Sequence, residues 1–408
     1  MKCRHCKTTL KSNFLNLGFS PPSNSYLNQS DLTKVEKYYP LSVMVCEKCW
    51  LVQTEDYAQA EEFFNSEYAY FSSTSTSWLK HAKLYVEKVT KELSLTPQSF
   101  VIEVASNDGY LLRNFVAEGI PCLGIEPTDS TAKAAEELGI EVIRKFFGEN
   151  FAKELAANGR QADLIIGNNV YAHVPDINDF TRGLKTALKT NGVVTLEFPH
   201  LMRLLDDVQF DTVYHEHFSY LSLCTVDLIF RSCGLRVYDV ENLESHGGSL
   251  RVYGCHIEDP RSIMPSVKLV KEEELSKGLR ILEGYSEFQI KADNVKNDLL
   301  EFLIRQKKSG KIVAAYGAAA KGNTMLNYAG VKPDLLAFVC DAAAAKQNKY
   351  MPGSHIPILH PSMLLENKID YLLILPWNLA KEVIEQNKFL RERGVKFVTA
   401  VPSLQVLE

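Results

Sequence analysis

The sequence predicts an α/β protein in which a metal-binding N-terminal module precedes two Rossmann-like domains. Three observations support this. Four cysteines crowd the first 49 residues, short apolar runs alternate with helical stretches from about residue 100 to 255, and the alternation returns after residue 310. Strands that alternate with helices form doubly wound parallel sheets. The predicted divisions are a zinc-binding module, a central cofactor-binding domain, a charged helical connector and a C-terminal α/β domain, at 1–77, 78–260, 261–309 and 310–408.

The composition favours a protein that acts on small molecules. The chain of 408 residues is 46% hydrophobic, and its 45 basic and 50 acidic residues give a formal net charge of -5. Such a chain can bury more than one core, and it lacks the basic stripe that neutralises nucleic-acid phosphates. No apolar run approaches the roughly 20 residues that span a bilayer, and the first residues do not resemble a secretion signal. We therefore expect a cytoplasmic monomer or weak dimer without nucleic-acid or membrane partners.

Two pairs of cysteines predict a structural zinc site. Cys3 and Cys6 are separated by two residues, and so are Cys46 and Cys49. With this spacing each pair can present two thiolates to one ion, and four thiolates leave no position for a water molecule. Reduced cysteines without metal and a nucleic-acid-binding zinc finger are the alternatives. The apolar residues around Cys46 argue against the second alternative.

The first strand, turn and helix of the central region predict a cofactor crevice. FVIEVASNDGYLL, residues 100–112, has the arrangement in which a nucleotide cofactor meets a doubly wound sheet, and Gly109 is expected to let the backbone approach that cofactor. Glu126 ends the next strand, where a carboxylate can accept both ribose hydroxyls. The turn lacks G-x-G-x-x-G, and its acidic side chains suit the sulfonium of S-adenosylmethionine better than the pyrophosphate of NAD. A cofactor-free α/β domain is the alternative. The cofactor-binding candidates are Glu103, Ser106, Asn107, Gly109, Glu126, Asn168 and Asn169.

The densest group of reactive side chains follows the predicted fifth strand. Tyr214, His215, Glu216 and His217 are consecutive, and His173 follows the fourth strand at the same sheet edge. Carbon methylation beside a ketone would need a base, for which His217 or Tyr214 is suited, and a donor to the enolate oxygen, for which His173 is suited. Glu216 is expected to orient an imidazole. A second metal site is the alternative, although no H-E-x-x-H motif completes it.

Two later motifs predict a substrate pocket. ESHGGSLRVYGC, residues 244–255, places a histidine and two glycines before a strand. AAYGAAAKGNTMLNYAG, residues 314–330, follows a strand and opens a helix whose N–H groups and lysine can meet a pyrophosphate. A plain β-turn and small residues for tight packing are the respective alternatives. The substrate-binding candidates are His246, Ser249, Arg251, Tyr316, Lys321 and Asn323.

Five segments taken together resemble one enzyme family. They are C-R-x-C at 3–6, C-x-x-C-x-x-x-Q at 46–53, YHEHFSYLS at 214–222, SHGGSLRVY at 245–253 and YGAAAKGNT at 316–324. In this order and spacing they resemble the S-adenosylmethionine-dependent nucleotide-sugar C-methyltransferases, the group that contains the tetronitrose-pathway enzyme. The resemblance runs essentially from end to end of the chain.

The resemblance implies a zinc-binding domain, a central S-adenosylmethionine domain and a C-terminal domain that helps to bind a nucleotide-linked keto-deoxysugar, with dTDP or GDP as the nucleotide. It also implies that Tyr214, Glu216 and His217 line the active site, that His173 lies near the reacting ketone, and that Tyr68 reaches the site from the zinc module. The expected reaction is methylation of the third carbon of a 4-keto-6-deoxyhexose through an enolate.

Several other functions remain alternatives to this prediction. The fifth carbon is also activated by the ketone, and O- or N-methylation of a sugar would need no enolate. A zinc-ribbon nucleic-acid-binding protein and an NAD-dependent sugar oxidoreductase are distant alternatives. The missing glycine fingerprint argues against the oxidoreductase.

Overall fold

The computed structural model describes residues 1–55 and 71–407 and confirms the predicted α/β class. The described residues form three β-sheets, one for each predicted globular region. The strands are β1 Ser12–Ser20, β2 Tyr39–Val45, β3 Val52–Thr54, β4 Val101–Val104, β5 Cys122–Ile125, β6 Glu141–Ile143, β7 Ala162–Asn168, β8 Leu188–Pro199, β9 Ser219–Tyr220, β10 Leu235–Leu243, β11 Ser249–His256, β12 Val313–Tyr316, β13 Val339–Cys340, β14 Ile358–Leu359, β15 Tyr371–Ile374, β16 Lys396–Thr399 and β17 Gln405–Leu407.

Helices cover the central and C-terminal sheets. In the described part of the chain they are α1 Thr76–Glu92, α2 Leu112–Ala117, α3 Asp129–Glu137, α4 Glu149–Ala157, α5 Ile177–Ala187, α6 Leu201–Asp206, α7 Leu223–Ser232, α8 Pro265–Ser276, α9 Phe288–Lys308, α10 Ala320–Tyr328, α11 Met363–Glu366, α12 Ala380–Gln386 and α13 Phe389–Glu392. None of these helices is both long and apolar enough to span a membrane.

The N-terminal sheet contains a strand from the middle of the chain. Its order is β1-β2-β3-β9, and β3 pairs with β9 so that Val52 lies opposite Tyr220 and Gln53 lies opposite Ser219. β9 belongs to the motif YHEHFSYLS. Because ladder hydrogen bonds fix register, this pairing holds the predicted catalytic segment against the cysteine-bearing module. The division of the chain at residue 77 did not predict this exchange.

The central sheet has the order β10-β11-β8-β7-β4-β5-β6, in which β4 to β8 are parallel and β10 and β11 are antiparallel. β4 is buried along its whole length and β7 along most of it, as expected for parallel strands covered on both faces. The strand order reverses between β4 and β7. Ligands of doubly wound sheets bind outside the carboxyl ends of the strands at such a reversal.

The C-terminal sheet has the order β14-β13-β12-β15-β16-β17, with a parallel core and β17 antiparallel at its edge. The predicted connector holds α8 and α9, and α9 packs against both β1 and β12. One apolar core runs from Phe14 and Val43 of the N-terminal sheet through Leu299 of α9 to Val313 of β12. This shared core fixes the N-terminal sheet and the C-terminal sheet against each other.

Candidate functional site

The four predicted zinc ligands form one cluster. The Sγ atoms of Cys3, Cys6, Cys46 and Cys49 all lie within 4.8 Å of one another. Gln53 of β3 donates from Nε2 to the Cys3 Sγ over 3.3 Å, a contact typical of the groups that stabilise a metal-bound thiolate. This donor set fits a tetrahedral zinc ion with four thiolate ligands and no open position.

One cavity of about 910 Å³ brings the predicted cofactor, catalytic and substrate regions together. Its walls are the carboxyl ends of β4, β5 and β7, the segment between β8 and β9, the turn between β10 and β11, and the start of α10. Its size falls within the range of small-molecule sites. The predicted residues that line it are Asn107, Glu126, Asn168, Asn169, His173, Tyr214, Glu216, His217, His246 and Lys321.

The wall formed by the central sheet carries unsatisfied polar atoms. Glu126 accepts the backbone N–H groups of Asn107 and Thr128, each over 2.9 Å, and burial raises its pKa. The side chains of Thr128 and Thr131 also contribute hydrogen bonds that oppose this rise, so the carboxylate sits among several donors at the cavity wall. Asn168 is 7% exposed, and both polar atoms of its amide lack a hydrogen-bond partner among the described residues. A buried amide without partners at a sheet edge fits a bound cofactor, since such groups are otherwise costly.

Three of the predicted cofactor residues lie behind this wall and do not line the cavity. Burial, together with the charges of Asp108 and Glu126, raises the pKa of Glu103 well above its usual value. A Cβ at Gly124 would lie 2.5 Å from the Ser106 Oγ, so Ser106 fills the space beside β5. Gly109 is the third of these residues.

Gly109 has a φ of +76°, and a Cβ there would lie 2.4 Å from the Ile140 Cδ1. The missing side chain therefore permits close packing of the turn against the following segment.

His217 is held in one tautomer at the centre of the cavity wall. Its Nδ1 lies 2.8 Å from the backbone carbonyl oxygen of Thr212, which accepts, so Nδ1 carries the proton and Nε2 keeps a lone pair. Burial, with a further contribution from His173, lowers the pKa of His217 well below its usual value. The rings of Tyr214 and His173 lie with centroids 3.9 and 4.6 Å from that of His217. The predicted catalytic side chains therefore form one contiguous group.

Burial also lowers the pKa of His173, to about 4, although a hydrogen bond to the backbone of Glu216 opposes this. His173 is therefore a neutral imidazole at neutral pH. A neutral imidazole carries a single N–H, and that of His173 is donated to the Glu216 backbone in this structure.

The Glu216 carboxylate contacts an amide and not an imidazole, whereas the Glu216 backbone contacts His173. Asn24 donates from Nδ2 to both carboxylate oxygens, over 2.8 and 2.9 Å, and both residues line the cavity. Burial raises the pKa of Glu216 to about 7, against the lowering effect of Asn24. The expectation that Glu216 orients an imidazole is corrected accordingly. His215 faces away from the site, with Nε2 3.2 Å from the Pro40 carbonyl oxygen.

The wall formed by the C-terminal domain is basic. Lys321, in the first turn of α10, donates from Nζ to Asn378 Oδ1 over 2.8 Å and lies over the Trp377 ring at 4.8 Å. Lys346 lines the same cavity and donates to the carbonyl oxygen of Ala318 over 2.9 Å. Two ammonium groups beside a helix N-terminus favour a dianionic ligand.

Four predicted substrate residues do not line the cavity, because their side chains are committed elsewhere. Arg251 Nη2 donates to Glu197 over 2.6 Å, and Ser249 Oγ donates to the Ser245 carbonyl oxygen over 2.9 Å. Tyr316 packs in the core of the C-terminal sheet. Asn323 donates to the Ser23 carbonyl oxygen over 2.6 Å and so ties α10 to the N-terminal region.

Sequence reasoning missed several cavity residues, among them Asn24, Trp78, His81 and Lys346. Asn24 lies between β1 and β2 with no motif beside it, and Trp78 and His81 lie on a helix that carries no motif. No spacing signal marks these positions, because only tertiary packing brings them to the cavity. The predicted Tyr68 lies outside the described residues.

Three family models match consecutive parts of the chain. They are described as "Putative zinc binding domain" at residues 3–64, "Methyltransferase domain" at 78–240 and "C-methyltransferase C-terminal domain" at 244–402. The C-methyltransferase NovU of Streptomyces niveus is 33% identical over 406 residues, which cover 100% of this chain and 96% of NovU.

Solved structures show weaker similarity. The PH0226 protein of Pyrococcus horikoshii OT3 is 14% identical, with a TM-score of 0.38 over 46% of this chain and 95% of that one. The magnesium protoporphyrin IX methyltransferase of Synechocystis PCC 6803, solved with bound SAM, is 12% identical, with a TM-score of 0.33 over 44% of this chain and 81% of that one. At these scores they add nothing to the full-length match.

Proposed function

Because this chain belongs to the C-methyltransferase family that includes NovU, we propose that it methylates the third carbon of a nucleotide-linked 4-keto-6-deoxyhexose. S-Adenosylmethionine is its methyl donor, and zinc is the ion of the four-cysteine cluster. The observation that carries the proposal concerns His217. Its Nε2 keeps a lone pair, and the residue lines a cavity that is also lined by the predicted cofactor residues and by two lysines.

The base is the first role that the site must supply. Removal of a proton from the carbon beside a ketone requires an acceptor that is unprotonated at working pH. His217 meets this requirement, because its pKa is low and the Thr212 carbonyl oxygen holds its proton on Nδ1. Tyr214, in ring contact with His217, is the alternative base.

Deprotonation leaves negative charge on the ketone oxygen, and a second group must stabilise it. We assign this role to His173, whose neutral imidazole contacts the ring of His217. The single N–H of this ring is donated to the Glu216 backbone in the structure, so it would have to turn from that carbonyl to the ketone oxygen as the negative charge develops. When bound, S-adenosylmethionine supplies the electrophilic methyl group that the enolate carbon accepts.

We propose that the basic wall binds the nucleotide part of the substrate. Lys321 and Lys346 line this side of the cavity together with the backbone of Ala319 and Ala320 at the start of α10. Helix N–H groups and lysine ammonium groups are typical diphosphate ligands. We infer that the C-terminal region binds the diphosphate and that the sugar extends from it towards His217.

The position of methylation is the finer part of the proposal. A 4-keto group acidifies the C–H bonds at both the third and the fifth carbon, so the fifth carbon is the alternative. A panel of dTDP- and GDP-linked keto sugars, with mass detection of the methylated product, would identify the nucleotide and the sugar substituents. NMR of the product would assign the methylated carbon.

Solvent deuterium exchange tests the chemistry directly. With the keto sugar, enzyme and D2O but no methyl donor, we expect deuterium at the carbon beside the ketone, because proton removal does not need the methyl group. The His217→Asn variant should lose this exchange and still bind S-adenosylhomocysteine. Methylation of an oxygen or nitrogen atom, or turnover without any wash-in, would refute the enolate mechanism.

A further inference from the structure

A buried carboxylate beneath the cavity has no part in the chemistry above. Glu197, in β8, is 0% exposed. Its Oε2 accepts from Arg251 Nη2 over 2.6 Å and from His81 Nε2 over 2.9 Å, and its Oε1 accepts from Ser245 Oγ over 2.8 Å. Its backbone carbonyl oxygen accepts from the N–H of Asn169 over 2.7 Å. Four separate segments therefore converge on one residue.

One of these contacts is enough to explain the burial. Arg251 lies opposite Glu197 in the β8–β11 ladder and compensates the buried charge. Burial by itself would raise the pKa of Glu197, but the His81 hydrogen bond and the Arg251 charge lower it to about 2. Glu197 is therefore an anion at neutral pH, and its contacts to His81 and Ser245 exceed what the sheet alone requires.

The two additional contacts lead to the cavity wall. The His81 ring stacks on Trp78 of α1 with centroids 4.7 Å apart, and the His246 ring meets Trp78 edge-on at 5.0 Å. His246 Nε2 lies 3.1 Å from Asn169 Nδ2. Glu197 and Arg251 do not line the cavity. The side chains reached through the additional contacts do line it, and they are Trp78, His81, Asn169 and His246.

The turn that carries His246 needs such support. His246 has a φ of 54°, an unfavourable conformation for a residue other than glycine, and Gly247 and Gly248 follow with φ of 90° and 113°. Strained turns persist where surrounding contacts fix them. The Ser245 contact to Glu197 anchors the start of this turn to the central sheet.

We propose that Glu197 is a positioning residue of the methyl-donor site, which fixes α1 through His81 and the 244–248 turn through Ser245, and so sets the place of Trp78 and His246 beside Asn169. The inference rests on the family's use of a methyl donor and not on the identity of the sugar. Its tests therefore measure binding of S-adenosylhomocysteine, which needs no sugar substrate.

Calorimetry on single variants tests the two contacts separately. Ser245→Ala and His81→Phe each remove one hydrogen bond to Glu197 and leave the Arg251 pair intact. We expect each to weaken S-adenosylhomocysteine binding about tenfold, the order of a lost hydrogen bond to a charged group. His81→Gln keeps a donor near the position of Nε2 and should recover affinity to within about threefold. Wild-type affinity in both Ser245→Ala and His81→Phe would overturn the proposal.

A double-mutant cycle tests whether Ser245 acts through His246. If it does, Ser245→Ala should have little further effect on affinity in the His246→Ala background, because the side chain it positions is gone. Fully multiplicative effects of the two substitutions would contradict this route.

The chain offers a matched control in a second buried Glu–His pair. Glu274 Oε1 lies 2.8 Å from His200 Nε2, both side chains are 0% exposed, and neither lines the cavity. Glu274→Gln should lower the Tm while leaving S-adenosylhomocysteine affinity unchanged. A tenfold loss of S-adenosylhomocysteine affinity in this control would mean that disruption of any buried Glu–His pair weakens cofactor binding. The positioning role of Glu197 would then be refuted.

Discussion

The two walls of the cavity differ in the charge that they carry. On the wall of the central sheet, Glu126 faces the cavity, and the one lysine that lines this wall in the described structure, Lys145, pairs with Glu154 over 2.7 Å. On the C-terminal wall, Lys321 and Lys346 line the cavity beside a helix N-terminus, and Asp341, 3.8 Å from Lys346, does not line it. One wall is therefore suited to a cation and the other to an anion.

This difference would let the two proposed ligands occupy one cavity without exchanging places. A sulfonium donor is attracted to the acidic wall and a diphosphate to the basic wall, since charges in a partly buried site are screened less than in water. The His217 group lies where the two ligands would meet. Four substitutions test the roles of the two walls, and they follow in decreasing order of the change that we expect in the kinetics or the affinity.

His217→Asn removes the proposed base between the walls. We expect kcat to fall by about 100- to 10,000-fold, the usual contribution of general base catalysis, with S-adenosylhomocysteine affinity nearly unchanged. His215→Asn is the matched control, because the His215 imidazole faces Pro40 outside the catalytic group. Near-normal turnover of His217→Asn would transfer the base role to Tyr214.

Lys321→Met removes one charge from the basic wall. We expect KM for the nucleotide sugar to rise about 10- to 100-fold, the cost of a lost charge-assisted hydrogen bond, while S-adenosylhomocysteine binds as before. Lys307→Met serves as the control, since Lys307 is exposed and pairs with Asp334. If instead cofactor affinity fell and KM stayed constant, the assignment of the two walls would be reversed.

Glu126→Gln removes the charge of the acidic wall. The amide retains one acceptor, but its N–H groups face the backbone donors of Asn107 and Thr128, so we expect S-adenosylhomocysteine to bind about tenfold more weakly. The KM for the sugar should not change. Calorimetry and steady-state kinetics measure the two quantities independently, and an effect on the sugar alone would disprove the role of Glu126.

Glu216→Gln should remove the acidic limb of the pH profile and hold kcat/KM near the low-pH level of the unmodified enzyme, because the amide mimics the protonated carboxyl group. With a pKa of about 7, Glu216 takes up a proton as the pH falls through neutrality, so kcat/KM of the unmodified enzyme should show an acidic limb there. The variant should lack this limb. Asn24→Ala should move the limb to higher pH, because the Asn24 amide stabilises the carboxylate. An identical limb in all three proteins would exclude Glu216 as its source.

The fold and the zinc cluster could be predicted from the sequence because their signals are local. Alternating strands and helices mark the parallel sheets, and each C-x-x-C pair lies within one short turn. The cavity is different, because Asn24 and Glu216 contact each other across 192 residues of sequence. Neighbouring residues within one motif also diverge: His217 faces the cavity and His215 does not, since the backbone turns between them.

Chemical type alone was a poor guide to which polar residues meet a ligand. Glu103 and Arg251 have the expected charges, yet both are buried within the central domain, and Arg251 is occupied by Glu197. Glu126 and Asn168 lie at strand ends and do reach the cavity. Position at the carboxyl edge of the sheet was therefore more informative than residue type.

The two-residue strand β9 connects the four-cysteine cluster to the segment that carries His217. Gln53 donates to the Cys3 thiolate with its side chain and pairs with Ser219 through its backbone, two residues beyond His217. We expect removal of the ion to weaken the β3–β9 pairing and, with it, the contact to the Thr212 carbonyl oxygen that orients the His217 imidazole. Loss of zinc should therefore lower methylation activity while S-adenosylhomocysteine affinity is retained.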